Sequence, residues 1–244
     1  MSVSSCGRGF VGVIVLLLGL GAVESGEEDN VPPKGFRALF NGKDLSGWKG
    51  QIHEDPRRVA KILDGLSDKD KLAKQQEADR KTLEHWIAKD GTIHYDATRG
   101  IGNIETREEF GDFELLIDWK IGPKGDSGIF LRSMPQVQIW DPAHQKMGSG
   151  GLYNNKPRVD PLKTADKPTG QWNTFHIKMV GAKVWIKLNG EVVIDGAVQD
   201  NYWADFKKPA PPRGPLVLQS HGTPLWFRNV YIKELKVTPG AGNN

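Results

Sequence analysis

Residues 126–153 read D-S-G-I-F-L-R-S-M-P-Q-V-Q-I-W-D-P-A-H-Q-K-M-G-S-G-G-L-Y. Two short strands are legible here, split at Ser133-Met134-Pro135. In the first, Ile129 and Leu131 alternate with Gly128, Phe130 and Arg132. In the second, Val137 and Ile139 alternate with Gln136, Gln138 and Trp140. Successive strand side chains point to opposite faces, so each strand gives one apolar face to a core and collects the rest on the reverse. The reverse face gathers Phe130, Arg132, Gln136, Gln138 and Trp140, with Asp126, Asp141 and His144 at its margins. Planar amides, a guanidinium and an indole suit a polyhydroxylated ligand with apolar ring faces. The plainer alternative is a wet sheet face that happens to carry large side chains.

The same alternation recurs on both sides of this stretch. Phe113, Leu115, Ile117, Trp119 and Ile121 share one face of a preceding strand, opposite Glu114, Asp118 and Lys120. Residues 172–180 turn Phe175, Ile177 and Met179 inward and leave His176 solvated. In residues 183–195, Val184-Trp185-Ile186-Lys187-Leu188 and Glu191-Val192-Val193-Ile194 flank Asn189-Gly190, a type I′ hairpin signal. Residues 215–221 place Leu216 and Leu218 on one face and Val217, Gln219 and His221 on the other. Phe36, Leu39 and Phe40 form a short strand before the Asn41-Gly42 turn. Many short strands with regular turn signals predict an all-β sandwich.

Residues 52–86 interrupt this pattern. They are dense in Lys, Asp, Glu and Gln, and Val59, Ile62, Leu63 and Leu66 follow helical spacing. The spacing predicts two amphipathic helices broken near residues 65–68: a solvated insertion or, more sharply, a lid. No internal repeat, dinucleotide fingerprint, P-loop, zinc-protease helix or nucleophile elbow is present.

The chain has 244 residues with a net charge of +3 and both signs interspersed, which gives no nucleic-acid footprint. Eight tryptophans serve cores and also stacking platforms for sugars. Arg8 followed by the apolar run 10–20 reads as an export signal, too short to span a bilayer comfortably, with cleavage near Ser25-Gly26. The expected organisation is a signal peptide over 1–25, a linker over 26–34, a sandwich over 35–237 with the insert at 52–86, and a disordered tail over 238–244. The mature protein is then periplasmic or secreted, with no membrane attachment. The one cysteine, Cys6, precedes the apolar run, so the mature chain has neither disulfide nor thiol chemistry.

Seven segments lie in order along the chain: G-F-R-A-L-F-N-G-K-D-L-S-G-W (35–48), D-F-E-L (112–115), D-S-G-I-F-L-R (126–132), V-Q-I-W-D (137–141), G-Q-W-N (170–173), L-N-G (188–190) and L-Q-S-H-G…F-R-N-V (218–222, 227–230). Together they resemble the 3-keto-disaccharide hydrolase domain family. The resemblance implies a concanavalin A-like β-sandwich, or jelly roll, a site on its concave sheet, and exported proteins acting on oxidised glycosides. The chain departs from the family pattern at Asp126, where Asn is usual, and at Gln136, where Glu is frequent.

These expectations give named roles. A ketone at carbon 3 of a sugar lets a base remove the hydrogen on carbon 2, so the site needs a base, donors for the enediolate oxygen and an acid for the leaving group. Arg132 with Gln138 is assigned to the oxygens. His221 is the first choice of base because imidazole titrates near neutral pH, followed by His144 and Asp141. Trp140 stacks on a sugar ring, and Gln136, Phe130, Tyr153 and Gln219 complete the substrate-binding set. No cofactor motif is present; a divalent metal ion held by Asp126, Glu105 and His221 is the alternative to Arg132 as electrophile. The partner is a carbohydrate substrate, a 3-keto-glycoside. The competing function classes are a non-catalytic carbohydrate-binding β-sandwich and an exported partner-binding domain.

Overall fold

The period-two pattern of β6 (Phe113–Ile121) builds the centre of the larger sheet in the computed structural model, which describes Met1 and residues 29–236. The expected signal peptide and C-terminal tail lie outside the described residues. β6 is flanked by β9 (Asn173–Val180) and β13 (Leu225–Glu234). Beyond β9 come β10 (Lys183–Leu188) and β11 (Glu191–Val198); beyond β13 come β4 (Thr92–Tyr95) and β3 (Trp86–Lys89), and β1 (Arg37–Ala38) pairs with β13 as well. The smaller sheet runs β2 (Trp48–Gly50), β5 (Ile104–Thr106), β12 (Val217–Leu218), β7 (Asp126–Leu131), β8 (Met134–Trp140). The strand pairs are antiparallel, so the architecture is an all-β sandwich of the concanavalin A-like kind.

The core lies between the sheets. Phe113, Leu115, Ile117, Trp119 and Ile121 meet Ile129, Leu131, Val137, Ile139, Ile104 and Leu218, all essentially withdrawn from solvent. Each such side chain contributes about 1.5–3 kcal/mol on burial, enough for a disulfide-free sandwich. The Asn189-Gly190 turn has positive φ at both residues, as a type I′ hairpin requires.

Several expectations are corrected. The β7–β8 connection is a second tight turn, with φ of 55° at Arg132 and 60° at Ser133, so Met134 and Pro135 begin the second strand. No Asn-Gly pair announces it. The expected strand over 215–221 is regular only at Val217–Leu218, with backbone hydrogen bonds running on at Pro215, Leu216 and Gln219. Within the expected linker, Asn30 exchanges hydrogen bonds with Asn229, and Asp29 accepts from Arg228 at 2.6 Å, so these two residues are tied to β13.

The insert forms α1 (Pro56–Leu63) and α2 (Asp68–Leu83), capped by Asp55 and Ser67. Its apolar stripe stays out of the core apart from Leu83, which is half-buried against it: α1 buries no residue and α2 fully buries only Thr82. α2 is instead held by polar groups at the free edge of β2. Asp79 accepts from the Gly50 N–H at 2.8 Å, and Gln75 donates to the Gly50 carbonyl at 2.8 Å. An unpaired edge strand is a template for aggregation, and this helix covers it. The helix backbone packs so closely that a Cβ on Gly50 would lie 2.5 Å from the Ala78 carbonyl oxygen.

Candidate functional site

The outer face of the smaller sheet carries three rows of side chains set by strand register. Lys49 pairs with Glu105, Glu105 with Val217, and Val217 with Phe130. One pleat along, Gly128 pairs with Gln138, and the registers carry Gln51, Asn103 and Gln219 into the same row. The next row pairs Asp126 with Trp140 and continues toward His221. Amides therefore run across the middle of the face.

These amides are linked. Gln136 Nε2 donates to Gln138 Oε1 at 2.8 Å, and Gln138 Nε2 donates to Asp126 Oδ1 at 2.8 Å. Asn103 Nδ2 donates to Gln51 Oε1 at 3.0 Å. Gly128 makes room for this: a Cβ there would fall 2.6 Å from Gln136 Cγ. Gln219 Oε1 is buried and accepts no hydrogen bond from the protein. A buried acceptor without a partner is costly, and a ligand hydroxyl would satisfy it.

Glu105 is the group whose electrostatics stand out. Its side chain is 14% exposed, with Lys49 Nζ 3.1 Å from Oε1 and Gln51 Nε2 donating to Oε2 at 3.3 Å. Burial pushes its carboxyl above the ordinary glutamate range; the Lys49 charge and the Lys49 and Gln51 hydrogen bonds oppose that rise but do not cancel it. It faces a cavity of about 230 Å³ that His53, Pro56 and Val59 of the insert help to wall.

The sequence-predicted residues divide. Gln136, Gln138, Trp140, Gln219, Asp126 and Glu105 do share the outer face. Trp140 lies edge-on to the exposed Tyr153, ring centroids 5.6 Å apart. Phe130 shares the face too, but it is covered by Trp203 and Met134 and packs with Val217. Arg132 is not on the face. It sits in the β7–β8 turn, 2% exposed, and its guanidinium donates to Gly111 O, Gly181 O, Pro211 O and Asp112 Oδ1. All five guanidinium donors are used, so none is left for a ligand oxygen. Asp141 is buried and accepts from Lys124 N, Ala143 N and the Thr169 hydroxyl. Burial works against its charge, but these bonds and the neighbouring His144 hold its carboxyl below the ordinary range. It organises a loop. His144 is exposed on the turn that follows, and His221 is exposed in the loop after β12. The Asp126 N–H donates to the Thr223 hydroxyl at 3.4 Å, which ties that loop to the Asp126 end of the face.

The metal alternative does not fit this arrangement. Among the described residues no group of three or more His, Cys, Asp or Glu converges. Glu105 is engaged by Lys49 and Gln51, and Asp126 by Gln138.

Lys49, Gln51 and Asn103 escaped the sequence reading. The signal existed in the alternation Trp48-Lys49-Gly50-Gln51, but the insert separates β2 from its partner β5 and hides the pairing.

The 3-keto-alpha-glucoside-1,2-lyase-like domain family matches residues 35–233. The chain belongs to this family. The match runs from ahead of β1 to within one residue of the end of β13 and brackets the helical insert. A family relative from Bacteroides thetaiotaomicron, named 3-keto-disaccharide hydrolase, is 22% identical over 84% of this chain and 80% of its own length. A candidate glycosyl hydrolase from Parabacteroides distasonis, solved at 1.70 Å, superposes with a TM-score of 0.62 at 23% identity, covering 86% of this chain and 100% of that one. A second from the same organism gives 0.51 at 24% identity over 63% of this chain and 92% of its own. These likenesses establish the sandwich fold.

Proposed function

We propose that the chain is a carbohydrate-active enzyme that cleaves glycosides bearing a ketone at carbon 3. A base takes the proton from carbon 2, and the C–H electron pair becomes the enediolate. Collapse of the enediolate forms the C1–C2 double bond and expels the glycosidic oxygen, which takes up a proton. Water then adds across that double bond, its oxygen to carbon 1 and a proton to carbon 2, so the net reaction is hydrolysis.

The observation that supports this reading best is Glu105. A general base works best when its pKa approaches the working pH, and burial moves this carboxyl in that direction. Lys49 beside it supplies fixed positive charge for the developing enediolate oxygen. Gln219 Oε1, which no protein donor reaches, offers an acceptor to a sugar hydroxyl, and the exposed Tyr153 beside Trp140 offers a ring face; Gln138 is bonded to Gln136, Asp126, Ser127 and Ile139 and holds the row in place. Two opposed carboxylates are not needed for this chemistry. His221 lies two rows away, at the Asp126 end of the face, so the leaving oxygen takes its proton from Glu105, which holds the one removed from carbon 2. His221→Ala should keep its turnover while folded, and a large loss of kcat would return His221 to the chemistry.

The test is incubation of the purified chain with 3-keto-trehalose and 3-keto-lactose, with and without EDTA, following glucose release. Release that persists in EDTA is the expected result. Release abolished by EDTA would replace the Lys49 role with a bound cation. Binding without release would favour a non-catalytic carbohydrate-binding sandwich, a reading that Gln136, an amide where a carboxylate was expected, speaks for. Export through the 1–25 segment belongs to the same proposal, with an N-terminus near Gly26 on the secreted protein as its check.

A further inference from the structure

Two cavities meet where the insert approaches the loop after β11. The first, about 230 Å³, holds Glu105 with Lys49, Gln51 and His53. The second, about 580 Å³, lies under residues 201–215 against Trp203, Met134 and Ala210. Pro56, Glu109, Ser133 and Pro215 line both, so the cavities adjoin at these residues.

Their walls differ in chemistry. The smaller one is built from side chains that donate, accept or carry charge. The larger one carries five prolines, which have no backbone N–H, together with Trp203, Met134, Ala204 and Ala210. The buried polar groups on its wall are engaged: Trp203 Nε1 donates to Ser133 O at 2.8 Å, and the Arg132 guanidinium is fully bonded, while the charged wall residues Arg57, Glu109, Lys208 and Arg213 are exposed to solvent. A second sugar laid against the Trp203, Met134 and proline surface would turn hydroxyls toward atoms that cannot bond them, which is costly. An apolar ring would lose nothing and would gain contact with Trp203, Met134 and proline surface.

We propose that the larger cavity is the aglycone subsite, and that it takes an apolar, ring-bearing aglycone while the oxidised sugar sits against Glu105. The insert then has a function beyond covering β2, because Pro56 and Arg57 at the start of α1 form one wall of the subsite. This inference rests on Glu105 as the proton-transfer group.

The experiment compares 3-keto-glucosides of 2-phenylethanol and methanol, two alcohols similar enough as leaving groups that their chemistry does not decide the outcome. A tenfold or greater advantage in kcat/KM for the phenylethyl substrate is expected, carried by KM. Ala210→Trp and Ala204→Trp each place an indole in the cavity, and both are checked for folding by thermal melting. In either variant the phenylethyl-to-methyl ratio should collapse toward one. Turnover of both substrates with equal kcat/KM, or a ratio that survives both variants, overturns the inference and leaves the Glu105 reading standing. Turnover of neither substrate breaks the Glu105 reading. In that case calorimetry on the same two ligands still decides: equal affinity refutes the subsite, and tenfold tighter binding of the phenylethyl compound upholds it.

Discussion

Arg132 and Glu105 are both charged side chains withdrawn from water on the smaller sheet, and the protein treats them in opposite ways. Arg132 meets a carbonyl or carboxylate with every N–H it has. Glu105 has one ammonium, one amide and an open cavity beside it, and its carboxyl is pushed upward by burial. A fully satisfied charge fixes geometry and has nothing left to offer. An incompletely satisfied one retains free-energy differences between its protonation states that chemistry can use.

The sharpest way to break this contrast is Glu105→Gln. The shape is kept and the proton carrier is lost. Turnover of 3-keto-trehalose should fall by about 10³-fold, within the range general acid–base groups supply, while chemical denaturation shows no loss of stability. Lys49 is 28% exposed, so water can take over its solvation. A variant that unfolds readily yet retains its specific turnover would make Glu105 a structural ion-pair partner of the Arg132 type.

Arg132→Met tests the other half. It takes the donor from the Gly111, Gly181 and Pro211 carbonyls and the cation from the Asp112 carboxylate, which keeps the Gly181 N–H, in a site where Arg132 is 2% exposed. Breaking a buried pair from one side costs about 3–5 kcal/mol, readable in a urea midpoint. The protein that remains folded should keep its turnover. A large drop in kcat with little loss of stability would restore Arg132 to the chemistry.

The same contrast explains what could be read from the sequence. Alternation is a local property, so the core faces of β6, β7, β8 and β9 and the placement of Gln136, Gln138 and Trp140 together on the opposite face follow from the residues in order, though not that all three are buried there. The Asn189-Gly190 hairpin is local too. Arg132 was misread because the parity of a strand was carried one residue past its end, into a turn whose residues, Arg and Ser, do not advertise positive φ. The partners of Arg132, Gly111, Gly181 and Pro211, lie far away in sequence. Lys49 and Glu105 were not joined because β2 and β5 are separated by the insert. The helices themselves were legible from their spacing, but their attachment through Gln75 and Asp79 was not, since exposed polar residues carry no periodic signal.

pH separates the two groups more gently. The folded-state pKa of Glu105 is raised, so the folded state binds a proton more tightly than the unfolded chain. Stability therefore declines as pH rises from 4.5, the ordinary glutamate value, to the raised folded value, and the deficit persists above it. Asp166, also raised by burial, acts in the same direction. Asp141 acts in the opposite one, losing its contribution as pH falls through its lowered value. In Glu105→Gln the decline due to Glu105 disappears. The stability of the variant relative to the parent should grow with pH above 4.5 and vanish below it. A difference independent of pH would mean that Glu105 is not raised at all.

The smallest effect concerns the insert, which lies between the two cases: polar, partly exposed and attached at an edge. Asp79 Oδ1 accepts from Gly50 N and from Gln75, both at 2.8 Å, and Oδ2 accepts from Arg107 at 3.3 Å. Its side chain is 22% exposed, so water can replace part of what Asp79→Ala removes. The cost should be about 1 kcal/mol, the net worth of one hydrogen bond, and it should come with faster hydrogen exchange at Gly50 and faster loss of monomer to aggregates than in the parent. Because β2 also carries Lys49, a loosened edge shifts the ammonium relative to Glu105. A modest rise in KM should therefore accompany the loss of stability. An unchanged denaturation midpoint with unchanged exchange at Gly50 would show that water caps this edge as well as the helix does, and that the insert serves the cavities alone.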